Sequence, residues 1–165
     1  MDLHAELSYP ADPETVIAML TDADYVRLRS ERTGGSEVTV DIQPEGTGTV
    51  VTSERTLPTD GFPSIARKFV GEGLRVRQVD RWAPVGDGTW AGESEVDAIA
   101  SAPVRLRAKA RLEPTESGSV QVIDGTVKAS VPFVSGKLEA LVHEQVLRAM
   151  RVEEQVAAEW LVRRT

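Results

Sequence analysis

Residues 104–112 read Val-Arg-Leu-Arg-Ala-Lys-Ala-Arg-Leu, an unbroken alternation of apolar and basic side chains. This period of two is typical of a β-strand with one buried and one exposed face. Residues 93–97 read Glu-Ser-Glu-Val-Asp and repeat their acids at the same period. Antiparallel pairing about a turn at residues 100–103 sets each acid opposite a base. The opposed pairs are Asp97 with Arg105, Glu95 with Arg107, and Glu93 with Lys109.

A third strand extends this pattern on the other side of the acidic one. The turn Gly86-Asp87-Gly88 sets Arg81 opposite Glu93 and Arg77 opposite Asp97, so an acidic strand lies between two basic strands. The basic residues are open to two interpretations, an anion-binding site or a solvated outer face held by cross-strand ion pairs. The neighbouring acids cancel the field of the bases and favour the solvated face.

The N-terminal part of the chain predicts one strand and two short helices. Residues 2–9 alternate as a half-buried strand that ends at Pro10. Asp12-Pro13-Glu14 combines a helix N-cap, a proline at the first helical position and an acid in the first turn. Thr21 or Asp22 caps a second short helix, which we expect to run to about Arg29.

The remainder of the chain predicts strands and then one long helix. Short turns join six further strands in an antiparallel meander. Pro132 ends this pattern, and an apolar face at helical spacing continues to about Arg163. We therefore predict an α+β fold, a curved antiparallel sheet of about seven strands wrapped around a long C-terminal helix. The two short helices follow the first strand.

Length and composition set the broad class. The 165 residues fit a single domain spanning residues 1–165, and no apolar run reaches the length of a membrane span. The net charge of −7 argues against a nucleic-acid partner, and the chain has no cysteine for a disulfide or a thiolate site. We expect a cytoplasmic protein with no secretory signal, no cofactor and no metal.

The inward face of the sheet carries many small side chains. They include Gly92, Ser94, Ala98, Ala108 and Ala110. Either the long helix sits close and fills the space above them, or a cavity remains. Dense packing of protein interiors favours close approach, but a curved sheet that grips a helix is a geometry in which a pocket survives.

A few polar residues fall on this inward side. Asp80 and Ser94 face each other in the predicted pairing, and Gln145 and Glu153 interrupt the apolar face of the helix. A buried carboxylate needs hydrogen bonds, a partner or a proton. Either these groups orient a ligand, or Asp80 lies at a bulge or a strand end and Glu153 at the helix flank. The second interpretation is favoured. Residues 62–70 predict a short helix, either a lid over the cleft or a connection docked on the core.

The order of elements resembles the START-like, helix-grip superfamily, which includes birch-pollen allergens, lipid-transfer domains and polyketide cyclases. The specific part is the opening strand, then Tyr9-Pro10-Ala11-Asp12-Pro13-Glu14-Thr15-Val16 and Leu20-Thr21-Asp22, with the terminal helix in support. Within the superfamily the chain is similar to an actinobacterial family of unknown function. The resemblance implies a cavity between sheet and helix for an apolar or amphipathic ligand, and it carries over no active-site residue.

We therefore expect the chain to bind or transport a lipid-like small molecule rather than to catalyse a reaction. A cyclase or hydrolase that uses cavity carboxylates and a protein-interaction module with a filled core remain the alternatives. His4 and His143 stand in no metal or catalytic motif, and we predict no catalytic residue. The predicted ligand-binding residues are Phe62, Ile65, Phe69, Val76, Asp80, Trp82, Trp90, Ser94, Ala108, Ala110, Leu141, Gln145, Ala149 and Glu153. Ligand identity and oligomeric state stay open.

Overall fold

A computed structural model describes residues 1–99 and 104–163, apart from the side chain of Phe69. The predicted turn at residues 100–103 lies outside the described residues. The elements are β1 (Asp2–Tyr9), α1 (Pro13–Leu20), α2 (Ala23–Arg32), β2 (Ser36–Glu45), β3 (Gly48–Pro58), α3 (Ser64–Val70), β4 (Gly73–Gly86), β5 (Thr89–Ala98), β6 (Val104–Thr115), β7 (Gly118–Ala129) and α4 (Ser135–Arg163).

The strands form one seven-stranded antiparallel sheet in the order β1-β7-β6-β5-β4-β3-β2. Strands β2 to β7 are a meander, and β1 joins β7 at the far edge. The helices α1 and α2 therefore connect the two edges of the sheet. The predicted fold class is confirmed, including the long C-terminal helix and the two short helices after β1.

The predicted register of the central strands is also confirmed. Asp97 pairs with Arg105, Glu95 with Arg107 and Glu93 with Lys109, as the opposed charges require. Between β5 and β6 the described residues form one ion pair, a diagonal one in which Arg107 Nη2 lies 2.9 Å from Asp97 Oδ1. Both of these side chains are more than 40% exposed, 43% and 47%. The outer face is thus the solvated, ion-paired surface that the sequence favours.

Two aspartates start the short helices. Asp12 accepts a hydrogen bond from the backbone N–H of Thr15 at 2.8 Å. Asp22 accepts from the backbone N–H groups of Asp24 and Tyr25, at 2.8 and 3.3 Å. Helix α2 then continues to Arg32, beyond the predicted end near Arg29. This extra turn holds Arg29 inside the helix, where its side chain is buried.

The core gathers at the two ends of α4. Near the start of the helix, Leu138 packs in a buried cluster with Phe62, Ala66 and Leu74. Near its end, Val156, Ala157, Trp160 and Leu161 pack in another, with Tyr25 and Leu112 among the partners. In α4, which the structure describes throughout, no residue between Leu138 and Val156 is buried. The middle of the helix packs through half-buried residues such as Val142 and Val146 on a smaller buried cluster formed by Leu3, Leu106 and Val127.

Within the described ranges, no helix has both the length and the apolar character needed to cross a membrane.

Candidate ligand-binding pocket

A pocket of about 520 Å³ occupies the space between the middle of α4 and the inward face of the sheet. Inward residues of the middle turns of α4 line this pocket. They are Val142, Gln145, Val146, Ala149, Met150, Val152 and Glu153.

The floor of the pocket comes from the inward faces of β4, β5 and β6. Val76, Ala108 and Ala110 supply apolar floor, and the buried indole of Trp82 closes one side. Ala108 lies opposite Ser94 and Ala110 opposite Gly92 in the β5–β6 register. The strand period of two brings these residues to one face.

The small residues of the floor do not all leave open space. A Cβ atom placed on Gly92 would lie 2.7 Å from Trp82 Cζ3, so the indole occupies the volume that the missing side chain frees. A Cβ atom on Gly125 would lie 2.5 Å from the backbone oxygen of Arg107. The first glycine makes room for an aromatic wall, and the second permits two strands to approach. The alanines Ala108 and Ala110 border the pocket directly.

Asp80 lies in the middle of β4 and not at a bulge or strand end, because it pairs with Val51 on one side and Ser94 on the other. Ser94 Oγ donates to Asp80 Oδ1 at 2.5 Å. Gln78 Nε2 donates to Asp80 Oδ2 at 2.9 Å. The carboxylate thus has neutral donors on both oxygens, as a charge in a partly dry site requires. The predicted contact between Asp80 and Ser94 is confirmed.

Arg29 reaches from α2 into the space between two carboxylates. Its Nη2 lies 3.7 Å from Asp80 Oδ2, and its Nε lies 4.0 Å from Glu153 Oε1. Both distances are ion-pair contacts and are too long for hydrogen bonds. Burial alone would lower the pKa of Arg29, but the charges of Glu153 and Asp80 outweigh it and raise this pKa above its usual value. Arg29 is therefore a permanent cation.

Glu153 comes from α4 and closes the opposite side of this group. Burial raises its pKa above the usual range, and the positive charges of Arg29 and Arg55 reduce that rise. Its side chain keeps 27% of its surface exposed because it faces the pocket. The result is a carboxyl group whose proton affinity depends on what else occupies the pocket.

Arg55 adds a second cation from β3. It lies on the inward face together with the buried residues Val51 and Ser53, and it lines the pocket. Its Nε is buried and has no hydrogen-bond partner. Gly35 makes room for this side chain, since a Cβ atom there would lie 3.0 Å from Arg55 Cδ.

The structure brings most of the predicted ligand-binding residues to the pocket. Those that line it are Phe62, Val76, Asp80, Trp82, Ser94, Ala108, Ala110, Gln145, Ala149 and Glu153. Three others lie elsewhere: Ile65 is exposed on α3, Trp90 packs on the core near Trp82, and Leu141 packs near Leu138. The side chain of Phe69 lies outside the described residues. Segment 62–70 is docked on the core, and its Phe62 also borders the pocket.

Sequence reasoning missed Arg29 and Arg55. A signal for each was present in the pattern, because Arg29 follows Tyr25 by one helical turn and Arg55 continues the alternation of Val51 and Ser53. In a sequence, an arginine on an otherwise apolar face indicates only that the apolar pattern is interrupted. Its importance appears only when the partners from other elements are known.

An antiparallel sheet that grips a long terminal helix over an internal pocket defines the helix-grip class, and solved structures share this fold. TTHA0849 from Thermus thermophilus aligns with a TM-score of 0.59 at 17% identity, over 95% of this chain and 97% of its own. Ara h 8.0201 aligns with a TM-score of 0.57 at 14% identity, with the same coverage of 95% and 97%. A norcoclaurine synthase of Thalictrum aligns with a TM-score of 0.51 at 16% identity, over 94% of this chain and 93% of its own length.

The chain belongs to the family described as protein of unknown function DUF2505, which matches residues 4–161. An uncharacterized protein of Mycobacterium tuberculosis strain H37Rv is 30% identical over 155 residues, 93% of this chain and 85% of that protein. An uncharacterized protein of Mycobacterium bovis is likewise 30% identical to this chain over 155 residues. The predicted resemblance to the helix-grip superfamily and to a family of unknown function is confirmed.

Proposed function

We propose that the chain binds an amphipathic small molecule in the pocket between the sheet and α4. The observation that carries this proposal is the pocket itself, which lies beneath a stretch of α4 in which no residue between Leu138 and Val156 is fully buried. Protein interiors normally pack to crystal-like density, so an unfilled volume of about 520 Å³ beneath the helix lowers the packing contribution to stability. That volume falls in the range of small-molecule sites, about 300–1,000 Å³.

The composition of the lining supports an amphipathic ligand over a purely apolar one. The floor of alanines and valines favours a hydrocarbon part through the hydrophobic effect. The group formed by Arg29, Asp80 and Glu153 offers charge and hydrogen bonding from one region of the wall. A few polar groups in an apolar pocket are what orients a bound molecule.

The test is native mass spectrometry of gently purified protein, compared with its mass after denaturation. We expect a non-covalent adduct of lipid size that is lost on denaturation. Ala108→Phe and Ala110→Phe fill the floor and are expected to abolish the adduct. Ala91→Phe is the matched control, because Ala91 lies on strand β5 with its side chain on the outer face of the sheet. It should leave the adduct in place.

Two results would contradict the proposal. One is a bare mass in the wild-type protein that persists after incubation with long-chain amphipathic compounds. The other is an adduct that survives both floor substitutions, since the molecule would then bind outside the pocket.

A second candidate, an enzyme of the cyclase or hydrolase type, is favoured by the raised pKa of Glu153, since burial prepares such a group to exchange protons. Asp80 is the other carboxylate in reach of the pocket. The readout is the mass of the released ligand after prolonged incubation. A changed mass that depends on Glu153 would favour an enzyme, and an unchanged ligand would favour the binder.

A further inference from the structure

Arg55 is a cation of the pocket that has no counterion among the described residues. Over residues 1–99 and 104–163, Arg29 forms ion pairs with Asp80 and Glu153, whereas the side chain of Arg55 forms no ion pair and its buried Nε has no hydrogen-bond partner. A buried donor without an acceptor destabilises a protein by about 1–3 kcal/mol, and by more when it is charged. The position of Arg55 therefore lowers the free energy of unfolding. Its side chain lines the pocket.

The nearby carboxylates favour the charge of Arg55 but do not outweigh its burial and the charge of Arg29. Asp80 is already bonded to Ser94 and Gln78 and lies beside Arg29. Burial, followed by the neighbouring charge of Arg29, lowers the pKa of Arg55, so its positive charge is less favourable here than in water. An acceptor that enters from the pocket would supply what the protein lacks.

We propose that the ligand is an amphipathic carboxylate, and that its oxygens bind the guanidinium of Arg55 with the charge of Arg29 in support. The inference rests on the proposed function and deepens it by naming the polar end of the ligand. The planar fork of arginine matches a carboxylate through two parallel hydrogen bonds. The hydrocarbon part then lies over Ala108 and Ala110, which border the same pocket.

Glu153 limits the strength of this site. Its carboxylate lines the pocket and acts electrostatically on both arginines, so it competes with an incoming anion. Removing the charge of Glu153 should therefore tighten carboxylate binding, while removing the charge of Arg55 should weaken it. Opposite effects at two lining residues are not expected of residues that only support the fold.

The experiment is calorimetric titration with dodecanoate and with dodecanol, which has the same chain and no charge. We expect the wild-type protein to bind dodecanoate about tenfold or more tightly than dodecanol, the range of a charge-assisted hydrogen bond. Arg55→Gln should remove this preference and keep dodecanol binding. Arg55→Lys should retain part of it. Glu153→Gln should raise the affinity for dodecanoate and leave that for dodecanol unchanged.

Arg77→Gln is the matched control, since Arg77 lies on the outer face of β4 and pairs with Glu54. It should change neither affinity. Equal binding of the two probes by the wild-type protein would overturn the carboxylate inference and leave the proposed function standing. An equal loss of both probes in Arg55→Gln would also overturn it. Failure of both probes to bind the wild-type protein would overturn the inference and count against the proposed function as well.

Discussion

At the scale of single residues, the shape of the pocket depends on the pairing of a glycine with an indole. Trp82 and Gly92 are opposite each other in the β4–β5 register. The indole lies over the bare backbone of Gly92 and forms a buried wall of the pocket. Any side chain at this position would push the ring toward the space where a ligand is proposed to bind.

Gly92→Ala is expected to destabilise the protein by about 1–3 kcal/mol, the usual effect of overpacking a dense interior. The reason is the distance of 2.7 Å between the new Cβ and Trp82 Cζ3. Denaturant unfolding measures the free energy, and indole fluorescence reports the moved ring.

Gly136→Ala is its matched control. Gly136 is in the first turn of α4, and a Cβ there has nothing within 4 Å. We expect no loss, or a gain of up to about 1 kcal/mol from helix propensity. Equal effects at the two glycines would contradict the packing of Trp82 on Gly92.

At the scale of elements, the β5–β6 pair shows that pattern and charge specify the register together. The apolar residues of β6 face inward, and its bases face outward opposite the acids of β5. Sliding one strand by a single residue would send every charge into the core. Exposure keeps each individual ion pair weak, so the register depends on burial of the apolar face more than on attraction between the charges.

A double-mutant cycle on Arg107 and Asp97 checks this ranking. With Arg107→Ala, Asp97→Ala and the double variant, we expect a coupling free energy below about 1 kcal/mol that falls as salt is added. The measurement is denaturant unfolding at low and high ionic strength. A salt-independent coupling well above this value would mean that the pair is structurally dominant.

At the scale of the whole molecule, four elements contribute one residue each to the charged group in the pocket. Helix α2 supplies Arg29, β3 supplies Arg55, β4 supplies Asp80 and α4 supplies Glu153. Their charges act on one another, and the arginines reduce the rise in the pKa of Glu153 that burial causes. The protonation of one residue therefore depends on how the whole sheet and two helices are assembled.

Glu153→Gln is expected to change the pH dependence of stability. The raised pKa of Glu153 means that the folded state binds its proton more tightly than the unfolded state. This contribution to stability is complete below the ordinary glutamate pKa of about 4.3 and is lost as pH rises through the folded value. Relative to the wild type, the variant should therefore gain stability as pH rises through that window.

Urea unfolding at a series of pH values measures this difference. Glu144→Gln, on an exposed face of the same helix, controls for the substitution itself. A difference between Glu153→Gln and the wild type that does not change with pH would contradict the raised pKa.

Some residues of the candidate site could be predicted from the sequence and others could not. Asp80 and Ser94 were found from strand register alone, because cross-strand neighbours follow from alternation and turn position. Leu141 and Ile65 are predicted to line the pocket but do not, since Leu141 packs near Leu138 and Ile65 is exposed on α3. Arg29 and Arg55 were not recognised, because their surroundings come from distant parts of the chain.

The sequence by itself determined the order of the elements, the register of the central strands and the side of the sheet that faces inward. These depend on local periodicity and on caps such as Asp12 and Asp22, which act over a few residues. Only the tertiary structure decided that α4 is fully buried at Leu138 and at Trp160 but has no fully buried residue between Leu138 and Val156. The distance between a helix and a sheet depends on the packing at both of its ends at once, and no local pattern encodes that distance.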